Sequence, residues 1–184
     1  LGSRGLGDVY KRQIGTDYFT LLELVPKRGV DLEIQDTVYI GKGKRDQIYK
    51  VLGKLDYENL TATSRIELEY SIREIVNNNE EKFVDFFNTA GAISTRLHKL
   101  ELIPGIGKKY MWEIVEARKE KPFESFEDIT TRIPSLNNPA EMIVNRVKQE
   151  LDTTTAKKGK KKYYLFTPIP KTQKKHRNNR NQRK

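Results

Sequence analysis

The chain has 184 residues, 36% of them hydrophobic and 33% charged, with a formal net charge of +10 and no cysteine. The missing thiol excludes disulfides, thiolate zinc sites, iron–sulfur clusters and cysteine nucleophiles, and with only His98 and His176 available neither a metal nor a cofactor is expected. No apolar run approaches the roughly 20 residues of a membrane span and no signal-peptide core is visible, so the expectation is a cytoplasmic chain without a membrane.

Residues 1–13 show no periodicity and read as a disordered leader outside the fold. Residues 14–60 read as a β domain. Tyr18–Val25 is rich in strand formers, Pro26-Lys27-Arg28-Gly29 carries turn residues, and two further strands are expected at Thr37–Ile40 and Ile48–Leu55. Three short strands predict a small antiparallel sheet or barrel. A complete OB-type barrel has five, so the barrel is expected to be incomplete at its start or completed from elsewhere.

Between the strands lies a basic glycine loop, Gly41-Lys42-Gly43-Lys44-Arg45. It lacks the Gly-x4-Gly-Lys-Ser/Thr order of a P-loop. On a barrel, such a loop offers Lys42, Lys44 and Arg45 to a nucleic-acid backbone. A merely solvated loop is the competing reading. Tyr18, Tyr39 and Tyr49 could supply stacking faces, although strand tyrosines are more often partly buried.

From residue 61 to 92 the pattern is helical and reads as a connector. Ser64 and Glu67 can form a capping box, and Leu68, Ile72, Ile75 and Val76 fall on one face. Asn77-Asn78-Asn79 interrupts, and Asn78 can cap a second helix carrying Phe83, Val84, Phe86 and Phe87. Asp56 to Asp85 holds eight acids and three bases, which disfavours this stretch as a polyanion surface.

Residues 93–152 read as paired helical hairpins. A helix is expected from Thr95 to about Leu102 and another from Lys108 to Glu120, ended by Lys121-Pro122. Ser125 and Asp128 offer a capping box, with Phe126, Ile129 and Ile133 inward. Asn138-Pro139 is an N-cap followed by an N1 proline, opening a last helix to Leu151. Trp112 reads as packing and His98 as structural or surface.

The chemistry lies in the first turn, Leu102-Ile103-Pro104-Gly105-Ile106-Gly107-Lys108-Lys109. Gly105 and Gly107 permit positive φ and close backbone approach. The following helix presents unpaired N–H groups and a positive dipole end, a ready phosphate site. Ile106 would pin the loop inward, and Lys108 and Lys109 add charge. Such contacts grip a backbone without reading its sequence. A glycine-capped αα-turn without a ligand is the alternative. Ile133-Pro134-Ser135-Leu136-Asn137 looks like a degenerate second copy, with Ser and Asn in place of the glycines. Asn tolerates the left-handed region, but Ser135 impairs close approach.

Residues 153–184 form a basic tail. From Lys157 to Lys184 there are twelve Lys or Arg and no Asp or Glu, leaving 23 bases against 25 acids before it, a net of −2. Basicity is therefore a tail property, suited to polyanions in a salt-dependent way. One apolar island, Tyr163–Thr167, predicts a segment that returns and docks, in the role of the missing sheet strand. Residues 171–184 are expected to be disordered.

Several blocks resemble a family: Asp17–Leu24, Tyr39–Asp46, Arg96–Lys109, Lys121–Ile129 and Tyr163–Thr167. The family is one of uncharacterised archaeal proteins described as nucleotide- or RNA-binding, and the resemblance covers about Ile14 to Thr167. It implies an S1-like OB domain followed by a helix-hairpin-helix domain, with no catalytic residues. The expected class is thus α+β: a small, incomplete OB-like barrel, then an all-α tandem helix-hairpin-helix domain.

The leading expectation is non-enzymatic, sequence-independent binding of nucleic acid, RNA in preference to DNA. The sites are Gly105, Ile106, Gly107, Lys108 and Lys109, with Lys42, Lys44, Arg45 and the tail assisting. The alternatives are an adaptor on a ribosome or transcription complex and, less favoured, a nucleic-acid-processing enzyme.

Overall fold

The computed structural model describes residues 11–33, 36–152 and 162–170. Of the expectations above, the leader up to residue 10, the basic stretch 153–161 and the tail from Lys171 lie outside the described residues. The described part is α+β, with a three-stranded antiparallel sheet, a two-stranded one and five α-helices.

Strands β1 (Lys11–Ile14), β2 (Leu21–Pro26) and β3 (Ile48–Lys54) lie in that order. Lys11 pairs with Leu24 and Ile14 with Leu21, so residues 11–13 belong to the fold and not to a leader. A four-residue edge strand is too short to show a period, which is why sequence pattern misses it. β2 begins later than expected because buried Phe19 has φ +50 and the Gly15 amide closes a turn onto the Thr20 carbonyl at 2.9 Å. Thr37–Ile40 forms no strand. Val38 and Ile40 instead pack by side chain against Leu24, Leu32 and Ile48.

The helices are α1 (Ala62–Asn78), α2 (Glu80–Thr89), α3 (Lys108–Glu120), α4 (Phe126–Arg132) and α5 (Pro139–Leu151). Two caps fall elsewhere than expected. Thr61 caps α1 by accepting from the Ser64 amide, and Asn79, not Asn78, precedes α2. Ser125 and Asn138 cap α4 and α5 as expected.

The helix expected from Thr95 is absent. In its place stand a hairpin, β4 (Ala92–Ser94) and β5 (Leu97–His98), and a single 3-10 turn at Leu100–Leu102. Local side-chain bonds divert the backbone from a helical path. The His98 amide donates to Glu101 Oε1 at 2.7 Å, and the Leu100 amide donates to His98 Nδ1 at 3.1 Å.

One apolar cluster joins Phe19 and Leu21 of the sheet region to α1, α2 and everything through Val147 of α5. Residues 61–92 are therefore part of the same core as residues 93–152 rather than a connector. Leu24, Leu32 and Ile48 form a second, smaller cluster in the sheet. α1 packs on α5, and Arg73 bridges the two by donating to Glu141 at 3.0 Å and Glu69 at 3.2 Å. The Lys148 ammonium, bonded to Glu69, holds that carboxyl below its usual range against a smaller opposing effect of burial.

Tyr163–Thr167 does return to the body, but not as a sheet strand. The carboxylate of buried Glu150 accepts from the amides of Leu165 at 2.7 Å, Phe166 at 3.0 Å and Thr167 at 2.9 Å, and from the Thr167 hydroxyl at 3.0 Å. Arg146 donates to the same carboxylate at 2.8 Å. The Phe166 ring then packs edge-on to Phe83 and Phe86 of α2, at 5.5 and 5.1 Å between centroids. Breaking one partner of a buried pair leaves the other charge stranded, at a cost of about 3–5 kcal/mol. Glu150→Gln should therefore lower the unfolding free energy by about 3 kcal/mol, read as a shift of the urea midpoint. Thr167→Val, which loses one hydrogen bond of several, should cost about 1 kcal/mol.

Candidate nucleic-acid interface

The Pro104-Gly105 turn is built from both of its flanks. Ile103 and Ile106 are buried, and the Ile106 amide donates to the Ile103 carbonyl at 3.0 Å. With proline second and Gly105 third at φ +89, this is the pattern of a type II turn. α5 backs the turn: Arg146 donates to the Leu102 carbonyl at 2.9 Å, and Met142 Cε would stand 3.3 Å from a Cβ placed on Gly105. The positive φ is what favours glycine here, since the flexible end of Met142 could yield to a Cβ.

Gly107 is the N-cap of α3 and has no side chain to occupy the helix end. The first turn therefore keeps its amide donors uncapped, and the dipole adds partial positive charge there. Gly107 itself has ordinary negative φ, −88, and nothing stands within 4 Å of where its Cβ would be. Lys108 and Lys109 are exposed on that first turn. Lys109 Nζ lies only loosely at Glu113, 3.8 Å away. Gly105, Ile106, Gly107, Lys108 and Lys109 thus come together as one rigid turn with an open donor end.

The second copy has the same skeleton and a different end. The Leu136 amide closes onto the Ile133 carbonyl at 2.9 Å, with both side chains buried. Ser135 has no positive φ, so its turn is not of the glycine-requiring type II kind. The left-handed residue is Asn138 at φ +48, not Asn137. Asn138 accepts from the Glu141 amide at 3.0 Å, and Pro139 has no N–H to give. This helix end is closed where that of α3 is open.

The basic glycine loop is attached to the sheet cluster, through Ile40, apart from the turn. Lys42 and Lys44 are exposed. Arg45 is spent on shape: its Nε donates to the Gly41 carbonyl at 3.0 Å, and its own carbonyl accepts from Lys27. The Tyr39 hydroxyl accepts from the Gly43 amide at 3.3 Å, and its ring fills the space a Gly41 side chain would need. All three tyrosines are exposed, Tyr18 at 65%, Tyr39 at 59% and Tyr49 at 73%, contrary to the half-buried expectation. Trp112 is likewise exposed, at 58%, and does not pack. Helical phase could have shown this, because Met111 and Ile114 point inward and residue 112 is turned about 100° from Met111.

A groove of about 1060 Å³ runs between the first two strands and α1. Six carboxylates line it against two basic residues, Lys11 and Arg12, a balance unsuited to a polyanion. Among the described residues no cluster of His, Asp or Glu could hold a metal ion, and no helix is long and apolar enough to cross a membrane.

His98 lies on β5, and burial, reinforced by Arg118, holds its imidazole below the ordinary value of 6.5. Arg118 is itself fixed by the Phe87 and Ala90 carbonyls at 2.7 and 2.8 Å, which ties α3 to the end of α2. A lowered histidine contributes stability that is present above 6.5 and lost as pH falls through the folded value. Stability should drop on acidification from about pH 7.5 to about pH 5, and less so in His98→Asn, which can keep the acceptor to Leu100. Urea midpoints at the two pH values check this. The two glycines should also part company. Gly105→Ala should cost about 1–2 kcal/mol from its left-handed φ, whereas Gly107→Ala should cost under about 1 kcal/mol as an unstrained cap change. Urea midpoints that are equal for the two would contradict the turn assignment.

Comparison with known proteins places these features in a wider group. A family model, DUF655, described as a protein of unknown function, matches residues 8–168. The chain is 48% identical over 153 residues to the uncharacterized protein MJ0038 of Methanocaldococcus jannaschii, across 83% of this chain and 68% of that protein. It is also similar to the crystal structure of Af1531 from Archaeoglobus fulgidus, with a TM-score of 0.76 at 46% identity, over 85% of this chain and 84% of that one.

Proposed function

The chain belongs to the DUF655 family, and we propose that it is a non-enzymatic nucleic-acid-binding protein that grips a phosphate backbone without reading sequence. One observation carries this reading: a rigid turn with Gly105 at positive φ leads into the uncapped N-terminus of α3, beside exposed Lys108 and Lys109. Amide donors and a helix dipole select an anion, and a repeating phosphate backbone is the anion that mobile lysines beside them also favour. In this reading the turn is the working half of a helix-hairpin-helix pair. Its first helix is cut to one 3-10 turn, and the closed second copy serves as its scaffold. The β-sheet with the Lys42 and Lys44 loop is a second contact, the remnant of an S1-like OB surface. The tail from Lys157 adds salt-sensitive affinity. RNA is favoured over DNA, and the protein works in the cytoplasm.

The test is a salt titration of binding in the full chain. Each phosphate contact on a single strand contributes about 0.7 to the slope of log affinity against log salt. Lys108→Ala/Lys109→Ala should lower that slope by about 1.4 and weaken all sequences alike. Binding that is unchanged by that pair and by Gly107→Ala would reject the grip. A chain that binds no nucleic acid at low salt would point instead to an adaptor that uses the hairpin pair for packing.

A further inference from the structure

α3 carries a large aromatic side chain that the fold leaves unused. Trp112 is 58% exposed, while its neighbours Met111 and Ile114 are buried. It makes no hydrogen bond, ring contact or cation–π contact among the described residues. A single exposed hydrophobic residue needs no explanation by itself. What surrounds this one does.

Trp112 follows Lys108 by four residues and Lys109 by three. On a helix these spacings share a face, with Lys108 about 6 Å away along the axis. Helical side chains lean toward the N-terminus, so a long one covers the turn before its own Cα. On that preceding turn Lys108 makes no ion pair among the described residues and the amide donors are uncapped. Toward the other end of α3, Glu116 is paired with Lys119 at 2.7 Å.

We propose that Trp112 is a stacking platform for one unpaired base, next to the phosphate held by the turn, and that the site selects single-stranded over double-stranded nucleic acid. The inference rests on the phosphate-grip reading and deepens it by naming the ligand class. The turn with its two lysines explains attraction to any phosphate backbone. A flat aromatic face one helical turn from the phosphate adds something only an unstacked base can use, since a duplex keeps its base faces covered. Stacking is blind to base identity because every base has a π-face, in keeping with the absence of sequence readout.

Trp112 is the only tryptophan in the chain, so the full-length protein carries its own probe. The ligands are an oligouridylate of about 12 nucleotides, an abasic phosphodiester strand of equal length and a blunt RNA duplex. Binding is followed both by anisotropy of labelled strands and by tryptophan fluorescence. Saturating oligouridylate should quench the fluorescence, and the abasic strand and duplex should not. Trp112→Ala should weaken oligouridylate binding roughly ten-fold while leaving the abasic strand and duplex within about two-fold, with Trp112→Phe between. An exposed position leaves the core intact, so all variants should fold. Oligouridylate binding that depends on Lys108 and Lys109 but neither quenches the indole nor responds to Trp112→Ala would overturn the platform and leave the grip standing. Binding of none of the three ligands would remove both.

Discussion

A buried ion pair on one helix organises this molecule. Arg146 and Glu150 lie one turn apart on α5, and between them they hold two separate pieces of chain. Arg146 reaches the Leu102 carbonyl, at the entry to the glycine turn, and the Tyr163 carbonyl. Glu150 collects three successive amides and a hydroxyl from Leu165 to Thr167. Each charge is almost fully withdrawn from water, and each is saturated by hydrogen bonds, the condition under which such a pair can be tolerated in a core. Its main effect is geometric. The turn that carries the candidate site sits at a fixed place on α5 because its backbone carbonyl is a ligand of Arg146.

That constraint propagates outward. With 163–167 pinned, Phe166 fills the space against Phe83 and Phe86 on α2. α2 in turn receives Arg118 from α3 at its C-terminal carbonyls, so the helix that presents Lys108, Lys109 and Trp112 is held at both ends. Asn88 adds a reciprocal clasp, exchanging hydrogen bonds of 2.8 and 2.9 Å with the backbone of Phe123. These bonds fix the backbone on both sides of the turn.

The two turns show how small a change separates a site from a scaffold. Both begin with Ile-Pro, both close with the same backbone hydrogen bond, and both bury their two flanking apolar residues. Replacing the positive-φ glycine by Ser135, and moving the left-handed residue to a capping Asn138, occupies one helix end. The first turn keeps open donors at the expense of helix stability, and the second spends them on a cap. In both turns the difference lies in what is done with the helix's unpaired amides.

The readable part of this protein was what depends on near neighbours in the chain. α3 and α5, the Ser125 and Asn138 caps, the inward faces of α1 and α2 and the glycine turn all follow from 3.6-residue periodicity and the φ preferences of Gly, Pro and Asn, which act over one or two turns. The return of Tyr163–Thr167 was also legible, because four large apolar residues need burial wherever they end. How it docks was not: a carboxylate fifteen residues earlier, paired with an arginine, took the backbone amides that a sheet ladder would have used. The hairpin at 92–98, the edge strand at 11–14 and the exposure of the tyrosines belong to the same class. Each is decided by what lies opposite in space, through hydrogen bonds and packing between residues far apart in sequence, and local pattern holds no record of those partners.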